Sequence, residues 1–371
     1  MSLVRLSDRL RSPALWAFAR ALAIAVPAGA LCAALKTPLP WMIGPLVACA
    51  IASGSGMRLL CPAPVRCAGL WAIGTALGLF FTPAVLLRMA QQAPAIVAGV
   101  VWSILLGLAF AWALRRFAQL DPPTAFFAGA IGGASEMALQ GERNGGTVET
   151  IAAVHSLRIL LVVIAVPFAF KWLGVRGTDV YEHVARRIDY DGLAVLIAAT
   201  VGGALVLRWA RSPNPWVLGP LLVSIVLTGA GLWFSALPPW MITTGQVFIG
   251  ISLGTRFRPG FFRRAPRPLG VALVSTLVGI PVTAAFGWGL GALTGVAPAT
   301  MVLATAPGGI AEMSLTAKML ALGVPVVTVF HVARVVFLVL AGNLVYRLIA
   351  ARVGWPHVHA RRAPVRAGDD D

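Results

Sequence analysis

Ile131-Gly-Gly-Ala-Ser-Glu-Met-Ala138 and Pro307-Gly-Gly-Ile-Ala-Glu-Met-Ser314 carry one pattern twice, 176 positions apart. Each copy sets a glutamate, Glu136 or Glu312, deep in a long apolar run. No acid lies between Asp8 and Asp121, and Glu312 is alone between Asp191 and Asp369. A carboxylate at membrane depth is costly, so it faces a protein interior or a wet cavity and commonly marks function. Two such carboxylates in the same Gly-Gly setting point to a paired role.

Composition establishes the membrane premise. Hydrophobic residues make up 58% of the chain and charged residues 12%, with a mean hydropathy of +0.85. Successive apolar stretches reach the ~20 residues that a helix needs to cross a bilayer. The fold class is therefore an all-α polytopic membrane protein, with nearly all 371 residues consumed by spans. The net charge of +17 comes mostly from arginine; the lysines are Lys36, Lys171 and Lys318. On a soluble protein such a balance suggests nucleic acid. Here the arginines punctuate the ends of apolar segments, as expected of cytoplasmic connections. The lipid bilayer is the partner implied, and no direct nucleic-acid binding is expected.

Arg5, Arg9 and Arg11 before the apolar run from Leu15 mimic a signal peptide. That run is too long, and residues 16–31 have a counterpart at 192–207, so it reads as a membrane helix. Cys32, Cys49, Cys61 and Cys67 form no C-x-x-C pair and read as small buried hydrophobes. His357 and His359 belong to an arginine-rich tail, 351–371, read as solvated and disordered.

The repeat extends well beyond the glutamates. Leu39-Pro-Trp-Met-Ile-Gly-Pro-Leu46 matches Asn214-Pro-Trp-Val-Leu-Gly-Pro-Leu221, and Ile73-Gly-Thr-Ala-Leu-Gly78 matches Ile249-Gly-Ile-Ser-Leu-Gly254. Pro122-x-Thr124 matches Pro298-x-Thr300, and His155-x-x-Arg158 matches His331-x-x-Arg334. This is a duplication of half the protein. Its parts are a first membrane repeat at 1–172, a polar linker at 173–191 and a second repeat at 192–350. Helices are expected near 14–35, 38–57, 67–87, 94–114 and 148–170, with a shorter element at 122–141. The second set falls near 192–207, 215–235, 239–255, 268–293 and 324–346, with a short element at 298–317.

The arginines set the relative orientation of the halves. The connections holding Arg58 and Arg66, and Arg115 and Arg116, have second-half equivalents with no Lys or Arg. The connection holding only Arg88 corresponds to one with Arg256, Arg258, Arg263, Arg264 and Arg267. By the positive-inside rule this swap means opposite orientation, which needs an odd number of crossings per half. Five transmembrane helices plus one non-crossing element satisfy it, giving two inverted repeats, ten crossings and both termini cytoplasmic. Gly132, Gly133, Pro307, Gly308 and Gly309 then mark broken or re-entrant elements. Such backbone is tolerated at membrane depth only inside protein or along a water-filled cavity, and secondary transporters commonly use it. Close helix packing is the plainer use of a Gly-Gly pair.

The candidate substrate, ion or proton-relay residues are Glu136, Glu312, His155, His331, Arg158 and Arg334, with Ser135, Ser314, Gln140 and Thr316 as polar neighbours. Glutamate and histidine titrate within reach of physiological pH. Arginine either neutralises the glutamate or grips an anion; a structural Glu–Arg pair is the simpler arrangement. Lys318, with Glu142 at its repeat position, reads as an interface marker. No catalytic residue, metal site or cofactor is indicated, since copper would want clustered imidazoles.

The doubled Pro-Trp-[Met/Val]-[Ile/Leu]-Gly-Pro-Leu, Gly-Gly-x-x-Glu-Met and His-x-x-Arg blocks resemble the AbrB family of duplicated bacterial membrane proteins, over residues ~15–350. The resemblance implies an inner-membrane location and the inverted five-helix repeats of the cation/proton antiporter and anion transporter group. A homodimer is possible within that frame. The function implied is a secondary transporter of a small solute, anionic in one version, coupled to protons or sodium. Two other labels travel with the family: a membrane-embedded regulator of gene expression and an ammonia-monooxygenase-like enzyme.

Overall fold

In the computed structural model, residues 13–178 and 187–353 are described; Arg5, Arg9, Arg11, His357 and His359, and most of the expected tail, lie outside them. Every regular element among them is a helix. The first half runs α1 (Pro13–Ala34), α2 (Pro40–Gly54), α3 (Ala63–Gly78), α4 (Pro83–Gln91), α5 (Ala93–Ala118), α6 (Pro122–Gly129), α7 (Ala134–Arg143) and α8 (Val148–Trp172). The second runs α9 (Tyr190–Trp209), α10 (Pro215–Gly229), α11 (Pro239–Gly254), α12 (Phe261–Arg264), α13 (Pro266–Thr294), α14 (Pro298–Thr305), α15 (Ile310–Met319) and α16 (Val324–Val353). The bounds of α3, α6 and α7 recur in α11, α14 and α15 with an offset of 176. The matched Leu39 and Asn214, which open α2 and α10, both take left-handed backbone, φ 43° and 44°.

Among the described residues six helices (α1, α5, α8, α9, α13 and α16) are long and apolar enough to cross a membrane. This is a multi-pass membrane protein. The third expected helix, 67–87, is broken: α3 and α4 meet at 87°. Thr82 caps α4, its hydroxyl accepting from the Val85 amide at 3.2 Å, and Pro83 follows in the first turn. The last helix runs to Val353, past the expected end at 346. The elements at 122–141 and 298–317 are each two half-helices separated by four residues of non-helical chain.

The helices form two groups that draw on both halves. In one, α2 packs on α11 while α3 packs on α10. The doubled Ile-Gly-x-x-Leu-Gly motif makes that exchange close. A β-carbon on Gly74 or Gly78 would meet the Val217 or Leu221 carbonyl oxygen at 2.5 or 2.6 Å; one on Gly250 or Gly254 would meet that of Met42 or Leu46 at the same two distances. Small residues four apart allow backbones this approach, the usual device of membrane helix pairs. The glycine of Pro-Trp-x-x-Gly-Pro serves likewise within each half, Gly44 against Ala28 and Gly219 against Ala204. Gly250→Leu should therefore force α2 and α11 apart and cost about 2 kcal/mol or more. A melting curve of the purified variant, lowered by several degrees, is the check; an unchanged curve would contradict the close approach.

The other group holds α5–α8 and α13–α16. The C-terminal ends of α5 and α16 (Leu114, Ala118; Tyr346, Ala350) share one apolar cluster with the N-terminal ends of α8 and α13 (Ile151; Leu269). The doubled Pro-x-Thr finds its reason here. Thr124 accepts from the Thr147 amide at 2.7 Å and Thr300 from the Gly323 amide at 3.2 Å, each tying the short helix to the chain entering the long one.

Candidate functional site

Each Gly-Gly-x-x-Glu-Met element begins a half-helix. Gly133 and Gly309 are the N-caps of α7 and α15, which makes Glu136 and Glu312 the third helical residue of each. Neither glycine has positive φ: Gly133 lies at −66° and Gly309 at −87°. Glycine is needed for space instead. A β-carbon on Gly133 would run into the Glu136 carboxylate, and one on Gly309 into that of Glu312. Likewise the first glycine of each pair, Gly132 or Gly308, leaves room for Met137 or Met313. Each glutamate thus folds back over the start of its own helix, where the free amides and the positive end of the dipole favour an anion.

The arginines serve the opposite ends. Arg158 donates to the carbonyls of Gly129 at 3.1 Å and Ala130 at 2.8 Å, with a longer reach of 3.4 Å to Ala128. Arg334 donates to Ala306 O at 2.8 Å and to Gly308 O. Those held by Arg158 are orphan carbonyls at the C-terminal end of α6, and those held by Arg334 are the C-cap carbonyl of α14 and one within the break itself. The expected Glu–Arg pairing is replaced by helix capping, because a half-helix that ends inside the protein leaves carbonyls without backbone partners. Every break is thus neutralised twice, by a guanidinium at the outgoing end and a carboxylate at the incoming one.

The histidines stand behind the arginines. His155 is fully buried, its Nε2 donating to Phe127 O and its Nδ1 receiving Arg158, both at 2.9 Å. His331 is equally buried and donates from Nδ1 to Val327 O at 2.9 Å. Neither histidine is on the wall of the cavity described next. Ser314 is also buried, bonded to Thr328 at 2.9 Å, Gln140 donates to Val339 O, and the Thr316 hydroxyl back-bonds to Glu312 O. Lys318 lies over the Phe80 ring at 5.8 Å.

Between the two helix groups lies a cavity of about 140 Å³. Both breaks line it, and so do Glu136, Glu312, Arg158 and Arg334. It shares Ala134, Ser135 and Arg256 with a wider cleft of about 760 Å³ that also touches Glu149 and Arg258. Glu312 is 9% exposed, whereas Glu136 is only half-buried. Four more polar side chains complete the wall: Arg66, Asn214, Ser252 and Arg256. Arg256 is near enough to feel the charges of Glu312, Glu136 and Arg66. None of these four was legible as a site residue, since their repeat positions hold Ile242, Leu39, Ala76 and Phe80. Among the described residues no three His, Cys, Asp or Glu side chains converge as a metal would require.

A family model described as AbrB, transition state regulatory protein AbrB, matches residues 41–350 and so takes in both broken elements. The chain belongs to the AbrB family. It is 26% identical over 324 residues to "Putative regulator AbrB" of Escherichia coli (strain K12), covering 85% of this chain and 92% of that protein. It is 27% identical over 352 residues to "Uncharacterized protein YhjN" of Bacillus subtilis (strain 168), covering 88% and 92%. No solved structure matches it. The AbrB-family match therefore covers every doubled motif except the first residues of the Pro-Trp block.

Proposed function

We propose that this AbrB-family chain is a secondary transporter of the bacterial inner membrane, moving a small solute coupled to protons or sodium. The observation that carries the reading is the convergence of both broken helices and both glutamates on one cavity between two helix groups. Discontinuous helices whose ends meet at a substrate site are the common plan of secondary transporters. Sliding one helix group against the other would expose such a cavity to each face in turn.

Two inverted repeats of five crossings, with both termini cytoplasmic, complete the reading. Its support is the shared cluster in which the end of α5 meets the start of α13, and the start of α8 meets the end of α16. Helices at equivalent repeat positions then run antiparallel. The four shorter helices α2, α3, α10 and α11, of 15–16 residues, are the remaining crossings. They sit within the bundle, where a span of ~23 Å suffices if neighbouring helices flank it.

The regulatory wording of the Escherichia coli relative's name suggests a second reading, a membrane-embedded sensor. Altered gene expression on deletion also follows from a solute no longer moved, so flux decides between the two. Solute profiling of deletion and overproducing cells, then uptake into proteoliposomes under an imposed pH or sodium gradient, is the test. Gradient-dependent accumulation of one solute class is expected. Deletion phenotypes with no solute moved in either gradient would favour the sensor.

A further inference from the structure

We infer that Arg66 and Arg256, with Asn214 and Ser252, form the seat for an oxyanion group, carboxylate or phosphate, of a small solute. The inference rests on the transporter reading and assigns its substrate class.

The capping geometry removes Arg158 and Arg334 from contention: their guanidiniums are already engaged with the carbonyls of the breaks. Among the described residues the guanidiniums of Arg66 and Arg256 make no hydrogen bond or ion pair, yet both line the cavity and lie within each other's field. Holding two like charges together on a partly dry wall is unfavourable unless something negative lies between them. The glutamates supply only part of that. Four arginines and two glutamates line the cavity, leaving two positive charges uncompensated when every group is ionised. Asn214 and Ser252 add neutral donors beside them, and guanidinium forks suit the two oxygens of a carboxylate or phosphate.

The seat is one-sided. Its repeat positions are the apolar Leu39, Ala76, Ile242 and Phe80, so the duplicated frame has kept the breaks on both sides and specialised the seat on one. Arg256 belongs to the walls of both the wide cleft and the inner cavity, which places the seat where an entering solute first meets the interior. The inner cavity, at about 140 Å³, is below the ~300–1,000 Å³ of drug-sized sites. The solute is accordingly small, or leaves its non-anionic part in the cleft.

The test is titration of the purified full-length protein with succinate and, separately, with inorganic phosphate, by calorimetry and by melting curves. Chloride at matched ionic strength is the reference. One of the two oxyanions is expected to bind and to raise the melting temperature, and which one does distinguishes the two sources of the group. Arg66→Ala and Arg256→Ala should each weaken that binding at least tenfold, Arg256→Lys less, and Arg88→Ala, exposed on α4 and on the wall of neither the cavity nor the cleft, should leave it unchanged. If Arg256→Ala does not fold, Arg66→Gln at the half-buried mouth carries the comparison. Binding unchanged in the arginine variants would overturn the seat. So would the absence of succinate and phosphate binding in a protein that moves a neutral or cationic solute, an outcome that leaves the transporter reading standing. Absence of flux for any solute would instead remove the transporter reading.

Discussion

Arg334→Ala is expected to lose most of its folded yield. Arg334 is 4% exposed, and its two terminal nitrogens satisfy the Ala306 and Gly308 carbonyls where α14 stops. Hydrogen bonds to a charged group contribute about 1.5–3 kcal/mol each, so losing two costs on the order of 3–6 kcal/mol. That is a large part of the ~5–15 kcal/mol by which proteins are stable at all. Lysine should not rescue, because one ammonium cannot fork to both carbonyls as a guanidinium does. Arg158→Ala should behave alike, since it holds the matching break and orients His155. Size-exclusion profiles and melting curves in detergent provide the check. A stable, monodisperse Arg334→Ala with weakened solute affinity would mean the arginine is a ligand rather than a cap.

Glu312→Gln is expected to fold normally and lose coupled flux. The amide keeps the shape of the carboxylate in the space that Gly309 leaves for it. A charge near a helix N-terminus contributes only about 0.3–1 kcal/mol at exposed positions and up to ~2 when partly buried. Unfolding is thus not the expected consequence. What the amide cannot do is exchange a proton or hold a cation between the two half-helices. Flux driven by an imposed gradient should fall to the rate of empty vesicles, with the melting temperature within a few degrees of wild type. Glu136→Gln should act in the same direction. Glu136 is the more accessible of the two, so the two variants are expected to differ in degree.

The doubled motifs made the broken elements, the helix order and the two glutamates legible from sequence, because a repeat filters structural necessity out of a uniformly apolar chain. Thr124 and Thr300, or Gly74 and Gly250, are doubled since each half needs the same tie or the same close approach. The partners of the arginines were hidden for a physical reason. Backbone carbonyls carry no sequence signature, so a buried arginine beside a buried glutamate reads as an ion pair even when helix ends compete for it. His155 and His331 were read as candidates from their residue type and spacing, but position along a helix does not say which face meets the cavity. Arg256 and Arg66 were read only for orientation and Asn214 only as part of a doubled block, because matching the halves for a site hides whatever only one half carries. The bend between α3 and α4 was written in Thr82-Pro83, an N-cap and first-turn proline inside an apolar run.

In the proposed transport cycle, solute passes through a cavity in which both glutamates take part. Its most direct measurement is gradient-driven flux in proteoliposomes, wild type against the Glu136→Gln, Glu312→Gln double variant, each confirmed folded by its melting curve. The expected result is flux for wild type that follows the pH or sodium gradient, and none above empty vesicles for the double variant. Equal flux from the two proteins would contradict it, leaving the carboxylates as structural caps on the half-helices.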